Sequence, residues 1–212
     1  MAGSVRGDGG RFNIGSALDP ATHTPFPALY VAEDFPTAFR ERFGVDPASS
    51  VGGLTANELV LRRESSFSQV ALNLNLETVI DVGDLSKLKS IADILKRIPL
   101  PSSIAKLARQ LRLRLPGLIR SAAGLQREIL SSDWRVQPVQ YDMPSNSQIF
   151  GRLCLAAGVH AILYPSARNA DRRCLALFPQ NWQASSSFVE LVGPGPPEVA
   201  VTRLDGRTVI AY

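Results

Sequence analysis

Gln69-Val70-Ala71-Leu72-Asn73-Leu74-Asn75-Leu76-Glu77 is the stretch that decides between helix and sheet. Val70, Leu72, Leu74 and Leu76 alternate with Ala71, Asn73, Asn75 and Glu77. A period of two puts the first set on one buried face of a strand. Val79, Ile80 and Val82 prolong the signal, so residues 69 to 82 are expected as sheet. Downstream the period changes. Leu88, Ile91, Leu95 and Ile98 recur at spacings of three and four, the mark of an amphipathic helix, with Asp84 or Ser86 as its cap and Pro99 and Pro101 ending it. Ile104, Leu107, Leu111 and Leu115 make a second such face, ended by Pro116, and a third short helix is expected from Leu118 to Leu130. Residues 86–130 therefore read as a helical insertion.

Asp133-Trp134 marks the return to the main body. Residues 138–145 read as a loop, and residues 147–157 as a helix with Ile149, Leu153 and Ala156 inward, stopped by Gly158. Strands are expected over 159–164, 173–178, 188–192 and 198–204, and Asp205-Gly206 between Leu204 and Val209 is a two-residue hairpin signal. Upstream, Leu29 to Ala32 is a short strand and Asp34 or Pro36 opens a helix to about Phe43. Residues 14–27 and 44–53 are loops, and Leu54 to Arg63 can hold a strand. Strands gather at both ends of the chain with helices between them, which favours an α+β fold over alternating βαβ units.

The chain of 212 residues suits one domain. Its hydrophobic fraction of 45% against 20% charged is that of a globular chain able to bury a core. No apolar run approaches the roughly 20 residues of a membrane span, and residues 1–10 lack the apolar region of a secretory signal. Cys154 and Cys174 fit no zinc or redox spacing and read as buried thiols of a reducing, cytoplasmic compartment. His23 and His160 are too few and too scattered for a metal site, so no metal is expected. Charge is uneven. Residues 86–127 hold ten basic residues and one acid, Asp93, so that block carries +9 within a chain of net +4 and the remainder is −5. The block could bind nucleic acid or an acidic partner. It contains no Phe, Tyr or Trp and no helix-turn-helix signature, so a solvated helical face is the simpler reading and direct nucleic-acid binding is not expected.

One constellation carries chemistry. Gly9-Gly10-Arg11-Phe12-Asn13 places flexible backbone beside an arginine, a donor fork suited to phosphate. Tyr30, on a short apolar strand, could stack on a flat ring. Glu41 could stabilise a developing positive charge, and Ser166 sits in a strand-ending turn where functional polar groups often lie. Each also has a plainer reading: a surface arginine, a core aromatic, a solvated helix face and a turn cap. There is no G-x-S-x-G elbow, Walker loop or G-x-G-x-x-G at a strand–helix junction.

The same residues resemble the RES-domain family, the toxins of RES–Xre toxin–antitoxin modules. Gly9-Gly10-Arg11-Phe12-Asn13 resembles its glycine–arginine element, Leu29-Tyr30-Val31-Ala32-Glu33 its tyrosine strand, and Ala38-Phe39-Arg40-Glu41 its glutamate helix. Asp133-Trp134 matches a recurring Asp-Trp, and the run from Gly158 through Tyr164-Pro165-Ser166-Ala167-Arg168 resembles its serine element. The likeness covers about residues 9–83 and 131–180. It implies a single RES-like domain over 1–212 with an ADP-ribosyltransferase-like core of twisted, mostly antiparallel strands and a basic helical insertion at 86–130. It further implies a cytoplasmic bacterial toxin that degrades NAD as substrate, without a cofactor, by glycohydrolysis or phosphorolysis. Arg11 and Glu41 would be catalytic, and Arg11, Tyr30 and Ser166 would bind NAD, with Ser166 on its ribose or nicotinamide part. The implied partner is an Xre-type antitoxin with a helix-turn-helix, with a homodimer as one arrangement. Two alternatives stand beside this: mono-ADP-ribosylation of a protein, and an inactive interaction module. The latter arises because family members carry an arginine strand ahead of the Gly-Arg element, where this sequence offers only Arg6.

Overall fold

A computed structural model describes residues 2–44, 68–113, 115–197 and 199–208. Two sheets share its centre. The first has four strands in the order β3 (Leu29–Ala32), β7 (Arg173–Leu177), β6 (Ala161–Pro165) and β5 (Val79–Asp81). The second has three, β4 (Leu72–Asn75), β8 (Phe188–Leu191) and β9 (Arg203–Asp205). A minimal hairpin, β1 (Gly9–Gly10) with β2 (Asn13–Ile14), lies apart from both. Every pairing is antiparallel except β5 with β6, so the fold is α+β and mostly antiparallel.

Strand parity explains how the layers stack. On β3, Leu29 and Val31 join Ala161, Leu177, Trp182 and Val189 in a core between the two sheets. The alternate residues, Tyr30 and Ala32, join Ile162, Tyr164, Cys174 and Ala176 on the opposite face, against the helices. That second face also carries the candidate site.

The helices are α1 (Phe35–Phe43), α2 (Leu85–Leu95), α3 (Ser102–Leu111), α4 (Ala122–Ile129), α5 (Val136–Tyr141) and α6 (Asn146–Ala156). Asp34 caps α1 by accepting from the Thr37 amide, and Gly44 closes it in the left-handed region. Asp84 caps α2, and Ser121 caps α4. Ser145 and Gln148 form a reciprocal capping box on α6. α2 packs on α4, and α4 on α6.

The structure departs from the sequence expectations at several points. Residues 69–82 are two strands in different sheets, not one. The break is fastened at Glu77, whose carboxylate accepts from the Ser186 amide at 2.6 Å and hydroxyl at 2.7 Å. Alternation survives on β4 and just beyond it, where Leu72, Leu74 and then Leu76 pack into the inter-sheet core and Asn73 and Asn75 are exposed, but Val70 is exposed too. The supposed loop at 138–145 begins as helix α5. Pro138 is tolerated there because a first-turn N–H has no intrahelical partner to lose. On α6 the buried face is Ser147, Gln148, Phe150, Gly151 and Cys154, whereas Ile149 and Leu153 are only partly buried and Ala156 is exposed. The α3 face expected to pack is half open, since α3 buries Ala108 but leaves Leu111 54% exposed. The strand expected over 198–204 is confined to β9, whose Asp205 accepts from the Arg207 and Thr208 amides in a turn. The strand expected at 54–63, most of the 44–53 loop, and the far arm of the hairpin at Val209 and Ile210 lie outside the described residues. Among the described residues no helix is long and apolar enough to cross a membrane, and no group of three His, Cys, Asp or Glu could hold a metal ion.

Candidate active site

The site is built from the β1–β2 hairpin upward. Asn13 is fully buried and uses every hydrogen-bonding position of its amide. Its Nδ2 donates to the Ser4 and Phe26 carbonyls at 2.7 and 3.0 Å. Its Oδ1 accepts from the Gly10 amide at 3.0 Å and the Tyr30 hydroxyl at 2.9 Å. Tyr30 in turn accepts from the Phe12 amide at 2.8 Å. Gln148 holds the hairpin from the other side, donating to the Asp8 and Asn13 carbonyls at 2.7 and 3.1 Å. Two glycines make this approach possible. A Cβ on Gly10 would collide with the Tyr30 hydroxyl, and one on Gly151 would collide with the Phe12 carbonyl.

Arg11 stands at the hairpin tip. Its Nη1 donates to the Ile129 carbonyl at 3.0 Å and the Ser131 carbonyl at 2.7 Å. Nε and Nη2 have no protein hydrogen bond among the described residues, and the side chain lines a cavity of about 540 Å³. Burial pulls the Arg11 pKa below its ordinary value, while nearby Tyr164, Glu41 and Tyr30 raise it. A guanidinium this basic stays charged. Burial pushes the Tyr30 and Tyr164 hydroxyls upward, so both stay protonated donors.

Glu41 reaches the same cavity from α1. Its Oε1 accepts from the Ser166 hydroxyl at 2.6 Å and the Ala167 amide at 2.9 Å. Ser166 Oγ also accepts from the Arg168 and Asn169 amides at 3.2 and 3.0 Å. Its bonds are thus directed at Glu41 and at its own turn, and it does not line the cavity. Asn169 ties that turn to α1, donating to the Thr37 hydroxyl at 2.7 Å and accepting from Arg40 at 2.7 Å. The carboxylate is therefore positioned by two elements far apart in sequence.

Arg11, Tyr30 and Glu41 are brought together as neighbours on one cavity wall, with Ser166 behind Glu41. The lining also includes Arg42, Trp134, Arg135, Arg168, Tyr164 and Cys174, none of which sequence reasoning assigned to the site, although Trp134, Tyr164 and Arg168 lie in motifs it quoted. Arg135 lies 4.3 Å above the Trp134 ring. Tyr164 and Cys174 pair across β6 and β7, and Ala32 pairs with Cys174 from β3, so the sheet register puts both on the face that carries Tyr30. Arg168 ends the serine run already quoted, and Arg135 follows the Asp133-Trp134 pair. Cys174 is buried, and desolvation followed by the Glu41 charge pushes its thiol up to about 12. It is a protonated wall group, not a nucleophile. A larger surface groove of about 730 Å³ borders β8 and β9, but its Arg203 is already paired with Glu190 and Asp205 and stacked on Phe188.

The RES domain family model matches residues 2–198. The chain belongs to the RES domain family. No curated protein and no solved structure matches it. The match runs through the hairpin, the Glu41 helix, the helical segment and the Ser166 turn. It marks this RES domain as a toxin–antitoxin-related domain and is compatible with an enzymatic role.

Proposed function

We propose that this RES domain is a cytoplasmic toxin that cleaves the nicotinamide–ribose bond of NAD on an ADP-ribosyltransferase-like core, and is neutralised by an Xre-type antitoxin carrying a helix-turn-helix. One observation carries the reading. A carboxylate clamped by two donors faces a cavity that also holds four guanidiniums, Arg11, Arg42, Arg135 and Arg168. That excess of fixed positive charge suits a pyrophosphate, and the volume is in the range of small-ligand pockets.

In this reading Arg11 binds the pyrophosphate with its unengaged Nε and Nη2. The Tyr30 ring supports the nicotinamide. Nicotinamide leaves as a neutral molecule from a cationic ring, so no general acid is required. As the bond lengthens, positive charge grows on the ribose, and Glu41 stabilises it. Ser166 contributes by fixing Oε1 of Glu41, which presents the other oxygen to the sugar. A carboxylate held this way needs no reorganisation as the charge develops.

The test is NAD consumption by purified protein, with and without inorganic phosphate, followed by product identification. Free ADP-ribose supports glycohydrolysis and ADP-ribose 1″-phosphate supports phosphorolysis. Label on a protein band would move the reading to mono-ADP-ribosylation. Intact NAD under all conditions would reject it.

A further inference from the structure

We infer, resting on the NAD reading above for the identity of the ligand, that Arg135 is the second arm of a two-guanidinium clamp with Arg11, carried on the face of the Trp134 ring and closing on the pyrophosphate of a dinucleotide. The four guanidiniums of the cavity are not equivalent. Arg168 lies across Gly44, where a Cβ would meet its Nη1, so it sits at the end of α1. Arg42 belongs to α1 itself and lies 5.9 Å from the Phe43 ring. Both are thus tied to the helix that carries Glu41. Arg11 comes instead from the β1–β2 hairpin, and Arg135 follows the stretch whose carbonyls hold Arg11.

The two arms are fixed by different means. Arg11 is tied through Nη1 to two main-chain carbonyls, which leaves Nε and Nη2. Arg135 makes no hydrogen bond and no ion pair among the described residues. Its anchor is the Trp134 ring, whose centroid lies 4.3 Å from the guanidinium carbon. The N–H groups of a guanidinium lie in its plane, so a contact made through its face leaves all five donors available. Trp134 is buried and serves as a rigid platform, while Arg135 above it is exposed. The two cations also feel each other. Burial is the main force lowering the Arg11 pKa, and the Arg135 charge lowers it further.

Neither arm is ion-paired. The Glu41 carboxylate spends Oε1 on Ser166 and Ala167, and the carbonyls on Arg11 carry no net charge. Two repelling guanidiniums in one cavity without a bonded counter-ion are complementary to an anion with two charged centres. Two linked phosphates meet that demand, one for each fork, whereas a lone carboxylate would satisfy one arm and leave the other. The plainer reading is that Arg135 only covers the Trp134 ring. Its charge would then be dispensable, and a neutral side chain of similar length would serve as well.

The experiment titrates the full chain with ADP-ribose, a pyrophosphate-bearing probe, and reads binding by calorimetry and by tryptophan emission. Trp182, the other tryptophan, is fully buried in the inter-sheet core, so a change in emission belongs to Trp134. Arg135→Gln should weaken binding about tenfold or more. Arg135→Lys should weaken it several-fold, because lysine keeps the charge and loses the planar fork. Trp134→Phe leaves a poorer platform and should also cost several-fold. Trp134 acts through Arg135, so the double variant Trp134→Phe/Arg135→Gln should match Arg135→Gln within about twofold. Arg207→Gln, an equal loss of charge in the other groove, should leave affinity unchanged. Circular dichroism checks each fold, and the exposed Arg135 variants decide the matter even if Trp134→Phe misfolds. The clamp is overturned if ADP-ribose does not bind saturably, if Arg135→Gln binds it as the parent does, if Arg207→Gln weakens it equally, or if the Trp134 and Arg135 losses add. NAD consumption by the same proteins keeps the two readings apart. Arg135-dependent binding of ADP-ribose with NAD left intact retains the clamp and rejects the NAD chemistry. NAD consumed by Arg135→Gln with an unchanged KM does the reverse.

Discussion

The hairpin site and the helical segment solve opposite problems with the same chain. Around Arg11 and Glu41, polar atoms are matched: Asn13 makes four hydrogen bonds, Gln148 spans two strands of the hairpin, and Ser166 is committed to its turn and to Glu41. Around α3 the polar groups are charged and solvated, and the apolar ones are half exposed. The first arrangement fixes a geometry; the second leaves a surface. Substitutions in the two regions should therefore differ in kind. In the site they should alter turnover or break the fold. On the exposed side of α3 they should do neither.

Glu41→Gln gives the largest expected effect. It keeps the shape and removes the charge, so NAD turnover should fall by about 10²–10³ while the melting curve stays in place. An unchanged rate would separate the site from any chemistry on ribose. Next comes Gly151→Ala. A methyl group there meets the Phe12 carbonyl, so urea unfolding should show a loss of about 1–3 kcal/mol and a displaced Arg11. Were the variant as stable as the parent, the close packing of hairpin on α6 would be wrong. Ser166→Ala removes one of the two donors to Glu41 and leaves the Ala167 amide. A bond to a charged group is worth about 1.5–3 kcal/mol, so a rate loss of roughly tenfold or more is expected, with little change in apparent NAD affinity. A change in affinity alone would instead mean that Ser166 touches the ligand.

The thiols give a smaller, pH-dependent effect. Burial pushes both Cys154 and Cys174 from 9.0 to about 12. Above pH 9 the unfolded chain loses these protons and the folded chain keeps them, so stability is full below pH 9 and declines as pH rises toward 12. The loss should reach about 1 kcal/mol per thiol one unit above pH 9, and Cys→Ser variants measured over the same range should lose that slope. Smallest of all, Lys106→Glu/Arg109→Glu should change unfolding free energy by no more than about 0.5 kcal/mol and leave NAD turnover intact. A large drop in either would place α3 among the elements that hold the fold.

The same contrast governs what could be read from the sequence. Period two located β4 because strand parity is local and this strand turns one side chain in two toward the core. Arg11, Tyr30 and Glu41 were legible because each sits in a short motif of its own. The split of residues 69–82 was not legible, since the bonds that break the strand come from Ser186 and Ser187, more than a hundred residues away. Cys174 stayed hidden for the same reason: only the sheet register pairs it with Ala32 and Tyr164. On α3 the amphipathic pattern was read correctly, but a pattern says which face is apolar and not whether anything covers it.

The two carbonyls that hold Arg11 belong to Ile129 and Ser131, where the helical segment ends. Main-chain oxygens are the same whatever the side chain, so drift in residue type at those two positions leaves the guanidinium anchored. Added or lost residues are another matter. Between α2 and α4, the joining stretches can lengthen or shorten without reaching Arg11. A single residue inserted between Ile129 and Trp134 would turn the carbonyls off its Nη1 and carry Trp134 and Arg135 out of register with the cavity. The six residues 129–134 thus act as a fixed hinge plate behind the helical segment.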